Sequence, residues 1–239
     1  MAPALQDRTL KALSLILSYP SRELQEAMPG IADVLQAERR LSGKLLGSLE
    51  PLLDELATRD LYDLEEQYVM LFDRSRALSL NLFEHVHGES RDRGGAMVSL
   101  LETYREGGFE PVTSELPDHL PVLLEFLSTR PAAEIRETLA DAAHIFEALN
   151  ARLTRRESPY AAVFAALARY SGVAADREAL AGLMQQPDVA ADDLAALDEV
   201  WEESEVLFGP APNAGCPQAR DMLERMDATL SRAPRAAAE

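Results

Sequence analysis

The 239-residue chain has a single cysteine, Cys216. That excludes an internal disulfide and any thiolate cluster for zinc or iron–sulfur. Glycine (12) and aromatic residues (6%) are sparse and β-branched residues are thin, so little in the chain suits a sheet. Positive charge is also short. Lys+Arg 23 against Asp+Glu 41 leaves a formal net charge of −18. A field of that sign repels phosphate backbones and anionic lipid surfaces, which argues against nucleic-acid and membrane-surface binding. No run approaches the ~18 consecutive apolar residues of a membrane span. The start, Met1 to Arg8, lacks the basic and then apolar pattern of a secretory signal. These absences predict a cytoplasmic chain with no direct membrane insertion.

What the chain does have is a globular balance, 47% hydrophobic and 27% charged residues, with Ala and Leu dominant. Apolar residues step by three or four: Leu10, Leu13, Leu17; then Leu45, Leu49, Leu52, Leu53, Leu56; then Leu61, Leu64, Tyr68, Leu71, Phe72. Each set puts a stripe on one helix face. Breaks fall at Tyr19-Pro20-Ser21, Met28-Pro29-Gly30, Glu106-Gly107-Gly108, Gln186-Pro187-Asp188 and Gly209-Pro210-Ala211-Pro212. Ser21 and Ser158 read as N-caps, the latter with Pro159 in the first turn. The expectation is an all-α single globular domain of about ten to thirteen mostly short helices over residues 1–230, with 231–239 a frayed tail. No 20–50-residue repeat suggests a solenoid.

Two segments do not read as scaffold. Between Tyr68 and Met97, four arginines (Arg74, Arg76, Arg91, Arg93) flank the apolar set Leu78, Leu80, Leu82, Phe83, Val86, with His85 and His87 closing it. One reading is an apolar groove wall with cationic rims, suited to an amphipathic helix carrying a few acids. The other is a core helix whose arginines pair with the chain's own carboxylates. The second segment is Glu115-Leu-Pro-Asp-His-Leu-Pro121. Pro117 stands where a first helical turn would start, with Asp118 placed to meet free N–H groups. Asp118 beside His119 admits a proton-transfer dyad, but no nucleophile, metal set or phosphate loop lies near, and a helix-start motif explains the pair more simply.

Metal binding finds little support. His85 and His87, two apart, diverge by about 200° on a helix and cannot share an ion. His85 and Glu89 are four apart but separated by Gly88, and a third ligand would have to come from His119 or a distant carboxylate. No dinucleotide fingerprint, P-loop, nucleophile elbow or zinc-protease motif occurs. Cys216 reads as an incidental loop thiol and Trp201 as a core or groove anchor.

The chain resembles the nitrate reductase assembly chaperones, the NarJ family, within the TorD/DmsD-like maturation chaperones of molybdenum enzymes. The resemblance rests on Tyr68-Val-x-x-Phe72-Asp73-Arg74, on Leu82-Phe-Glu-His-Val-His-Gly-Glu-Ser-Arg-Asp-Arg-Gly94 followed by Ala96-Met97, and on Glu115-Leu-Pro-Asp-His-Leu-Pro121 with Leu124-Glu-Phe126. Weaker echoes are Leu17-x-Tyr19-Pro20, Arg155-Arg-Glu-Ser158 and Val200-Trp-Glu-Glu203. It implies an all-α protein that is no enzyme; no cofactor is expected, and the histidine spacing with the single cysteine predicts no bound metal. The resemblance implies a partner, the apo α subunit of respiratory nitrate reductase, bound by its N-terminal segment until molybdenum cofactor and an iron–sulfur cluster are inserted. Molybdenum cofactor biosynthesis proteins stay open as further partners. Carried over by position, client-peptide binding falls to Tyr68, Phe72, Asp73, Arg74, Leu80, Phe83, Glu84, His85, His87, Arg91, Arg93, Asp118 and His119. Three rivals remain: a chaperone for another molybdenum oxidoreductase, a helical adaptor that stays in its complex, and an all-α metal-dependent phosphohydrolase using His85, His87, Asp118 and His119. The last has its Asp-His order reversed.

Overall fold

A computed structural model of the chain describes residues 7–87, 92–186 and 188. Eleven α-helices run through these residues: α1 Arg8–Ile16, α2 Arg22–Glu38, α3 Gly43–Thr58, α4 Leu61–Tyr68, α5 Leu82–His87, α6 Asp92–Glu106, α7 Leu120–Leu127, α8 Ala132–Asp141, α9 Ala143–Arg155, α10 Ala161–Ser171 and α11 Arg177–Gln185. A π-turn, Val69–Asp73, and a 3₁₀ turn, Arg76–Leu78, link α4 to α5. Among the described residues the one extended pairing is an isolated antiparallel bridge, Asn81 with His119. The all-α expectation stands. The 231–239 tail, Trp201 and Cys216 lie outside the described residues.

Local chemistry accounts for five of the eleven helix starts among the described residues. Asp7, Ser21, Ser42, Asp60 and Asp176 each accept a backbone N–H of the first turn of α1, α2, α3, α4 and α11. Each such cap stabilises its helix by about 1 kcal/mol. Most residues of the predicted stripes are buried, Leu10, Leu13, Leu17, Leu49, Leu52, Leu56, Leu64 and Phe72 among them, while Leu45, Leu53, Leu61 and Leu71 are half-buried. α1 packs between α2 and α7, and α9 lies against α10 and α11, so one continuous core joins both halves of the described chain.

Three expectations are corrected. Met28-Pro29-Gly30 does not end a helix; Pro29 lies inside α2. Pro29 and Gly30 face solvent while Leu24, Met28, Ile31 and Leu35 are buried, so packing of one face carries the helix past its missing N–H. Ser158 does not cap α10, which starts at Ala161 after a turn through Pro159 and Tyr160, with no side-chain cap. Pro117 does not open a helix. α7 begins at Leu120 with Pro121 in its first turn, and Pro117-Asp118 forms a turn before it.

Candidate functional site

The turn 117–119 meets the start of α5 across the bridge. Leu120 N–H donates to the Leu80 carbonyl (2.8 Å) and Leu82 N–H to the Asp118 carbonyl (3.1 Å). The Asp118 carboxylate, with no exposed surface, accepts Phe83 N–H at 3.0 Å. Asp118 therefore meets a free N–H at a helix start, but the helix is α5, 35 residues earlier, rather than its own. Arg93 reaches in from α6, 3.1 Å from Glu84 and 3.9 Å from Asp118. Burial raises the Asp118 carboxyl above the usual range, opposed by the Phe83 N–H and the Arg93 charge. Glu84, Arg93 and Asp118 thus form a charge knot that fixes α5, α6 and the approach to α7.

His85 is also inward. Its Nε2–H donates to the Ser79 carbonyl (2.8 Å), and burial pulls its pKa down to about 4. Leu78, Leu80, Leu82 and Phe83 are all core. The apolar set is therefore not a groove wall. It lies beneath the surface because the Asn81–His119 bridge seats this segment against α7. Arg93 is engaged internally, whereas Arg74 is exposed just after the π-turn. The His87 side chain and Arg91 lie outside the described residues.

An open groove of about 530 Å³ forms instead beside this knot. One wall is α1 through Leu15 and Ser18, continuing to Tyr19; the floor is Tyr68; the far wall is the loop 109–115; the start of α7 closes it with His119 and Val122. Tyr68 and Asp73, from one stretch of sequence, meet His119, from another, here. Tyr68 hydroxyl donates to the Leu17 carbonyl at 2.9 Å. Its ring stands edge-on to Tyr19 (5.4 Å) and Phe72 (5.0 Å), and Phe72 to Tyr160 (5.1 Å), an aromatic ladder from the groove into the core. The π-turn lets Phe72 face in while Asp73 faces the groove.

The loop wall is held from behind. Tyr104 donates to the Pro117 carbonyl (2.7 Å) and packs on Phe109 and Phe126. Gly107 is required there, since a Cβ would sit 2.6 Å from the Phe126 ring. Asp73, Glu110, Glu115 and Glu125 line the groove, and burial together with Glu115 raises the Asp73 carboxyl. His119, its pKa lowered to about 4 by burial, is neutral at physiological pH. The rim is acidic, opposite in sign to the cationic rim expected from the arginines. The sequence does not single out the loop 109–115 or Tyr19, which line this groove; the one pattern that reaches either is Leu17-x-Tyr19-Pro20.

Among the described residues no group of three or more His, Cys, Asp or Glu could hold a metal. His85 is tied to Ser79, Asp118 to Phe83, and His119 opens on the groove, so these do not converge as a hydrolase centre would require.

The sequence pattern of the family described as nitrate reductase delta subunit matches residues 21–166. A nitrate reductase molybdenum cofactor assembly chaperone, NarJ of Escherichia coli (strain K12), is 44% identical over 200 residues, 83% of this chain and 84% of that protein. The chain belongs to the NarJ family. A Bacillus subtilis (strain 168) relative that carries the NarJ name is 31% identical over 179 residues, 74% of this chain and 95% of its own. The crystal structure of a protein from Archaeoglobus fulgidus, described as a redox enzyme maturation protein, superposes with a TM-score of 0.51 at 25% identity, covering 70% of this chain and 93% of that one. A NarJ-family member is an assembly chaperone, not an enzyme.

Proposed function

We propose that this chain is a dedicated chaperone of respiratory nitrate reductase. It binds the N-terminal segment of the catalytic α subunit in the cytoplasm and keeps that subunit open to molybdenum cofactor and iron–sulfur insertion. It leaves before the enzyme docks at the membrane. The observation that carries the reading is the open groove floored by Tyr68 and rimmed by Asp73, Glu110 and Glu115. A short helix with an apolar face fits such a concavity, and the acids favour basic residues beside that face. Within this reading Tyr68, Asp73 and His119 touch the client. Phe72, Leu80 and Phe83 support the floor from the core, while Glu84, His85, Arg93 and Asp118 hold the groove's walls in register. Affinity is what remains of helix burial after ordering a flexible terminus, so binding is moderate and reversible.

Calorimetric titration of an α-subunit N-terminal peptide against a scrambled control tests this. Binding of the native peptide alone is expected, weakened severalfold in Glu115→Lys, an exposed residue whose charge reversal leaves the melting temperature unchanged. Equal binding of the scrambled peptide, or none of either, contradicts it.

A further inference from the structure

At the other end of α1 from the groove lies a second concavity, about 380 Å³, bounded by the α1 N-cap, the turn before α3, the start of α8 and the end of α10. Its charge runs against the composition: Arg40, Arg136 and Arg169 line it, with Asp7 the one acid among its lining residues. Asp7 is already engaged. It accepts Leu10 N–H at 2.9 Å and the Tyr170 hydroxyl, and stands 3.9 Å from Arg40. The nearby acids Glu38 and Glu134 are paired with Arg8 (3.6 Å) and Arg130 (2.6 Å). Arg136 and Arg169 have no carboxylate partner among the described residues, and both are exposed to an incoming ligand. Leu41, Leu45 and Ile135 supply an apolar floor.

We infer that this pocket binds a phosphate-bearing anion of nucleotide size, its phosphates on the guanidinium groups and its flat ring on the apolar floor. Three guanidiniums against one occupied carboxylate match the two to three negative charges of a diphosphate, and the planar guanidinium fork suits phosphate oxygens. The volume of about 380 Å³ falls in the range of small-molecule sites. The inference stands apart from the client groove, which lies at the opposite end of α1 and carries the opposite charge.

Titration calorimetry with the full chain, using ADP and inorganic pyrophosphate as separate probes at fixed ionic strength in phosphate-free buffer, tests it. The expected result is one saturable site for ADP, weakened at least tenfold in Arg136→Glu/Arg169→Glu and unchanged in Arg105→Glu, an exposed arginine outside the pocket. If the double variant fails to fold, Arg169→Ala alone should still weaken ADP severalfold. Absence of saturable ADP binding overturns the inference. So does equal loss in Arg105→Glu, which would mark diffuse charge, or pyrophosphate binding without ADP, or binding of an oligoglutamate peptide alone.

Discussion

At Asp118 a carboxylate is taken wholly out of water, a placement that costs several kcal/mol unless its oxygens are met. Phe83 N–H meets one oxygen, and Arg93 supplies charge at 3.9 Å. Asp118→Ala would remove the carboxylate acceptor of the Phe83 N–H and one of the two acids that face Arg93. A loss of about 2–3 kcal/mol is expected. Asp118→Asn keeps an acceptor for Phe83 and should lose less than half of that. Denaturant unfolding of both variants checks the ordering, and an Asn variant as damaged as Ala would show that charge, not the N–H bond, holds the turn. His85 acts on stability through pH. The unfolded chain takes up its proton near 6.5 and the folded one only near 4, so protonation favours unfolding. Its contribution is whole above pH 6.5 and is lost as pH falls toward 4, about 2 kcal/mol of it by pH 5. Unfolding free energies at pH 7 and pH 5 should therefore differ less in His85→Gln than in the parent chain. The same fall in both would place the titration elsewhere. Ser21 was readable as a cap because donor and acceptor are three residues apart, whereas the partners of Asp118 and His85 depend on how the chain folds back.

Between elements, the buried guanidinium of Arg152 on α9 does what no stripe of leucines announces. It donates to the Ala77 carbonyl (2.7 Å) and the Leu183 carbonyl (2.5 Å), tying the 3₁₀ turn to α11. Burial lowers its pKa, so it is held by these carbonyls at a desolvation cost. Arg152→Lys keeps a charge but cannot span both acceptors, and a loss of about 3 kcal/mol is expected. Hydrogen exchange of α11 should quicken more than that of α2. Equal change in both would mean that Arg152 supports the core generally. At this scale helix existence was legible from the 3.6-residue period, but Pro29 and Ser158 show its limits. A breaker on the solvent face can be carried by packing on the other face, and a serine with good cap chemistry is idle if the helix starts two residues later. The π-turn was hidden too, since its one extra residue leaves the apolar spacing of Tyr68, Leu71 and Phe72 intact.

Among the described residues, two concavities of opposite charge stand at the two ends of α1. The acids that set the net charge of −18 include the rim of the groove at one end of α1, while three arginines gather at the other end. The chemistry of the groove was only half legible in the sequence. Tyr68, Asp73 and His119 stood in the two segments that do not read as scaffold, but the arginines that suggested a cationic rim are partly spent inside, Arg93 on Glu84 and Asp118. Sign cannot be read from composition along a segment when a charge such as Arg93 turns inward and acids such as Asp73 face the groove. Site-specific photo-cross-linking tests whether the client segment lies in this groove. A photoreactive side chain placed at Val112, 99% exposed on the loop wall, is compared with one at Val173, exposed just beyond α10 near the opposite end of α1. Each is illuminated with a labelled α-subunit N-terminal peptide. The account predicts cross-linking from position 112 that unlabelled peptide competes away, and none above background from 173. Equal labelling at both positions, or labelling from 173 alone, would contradict it.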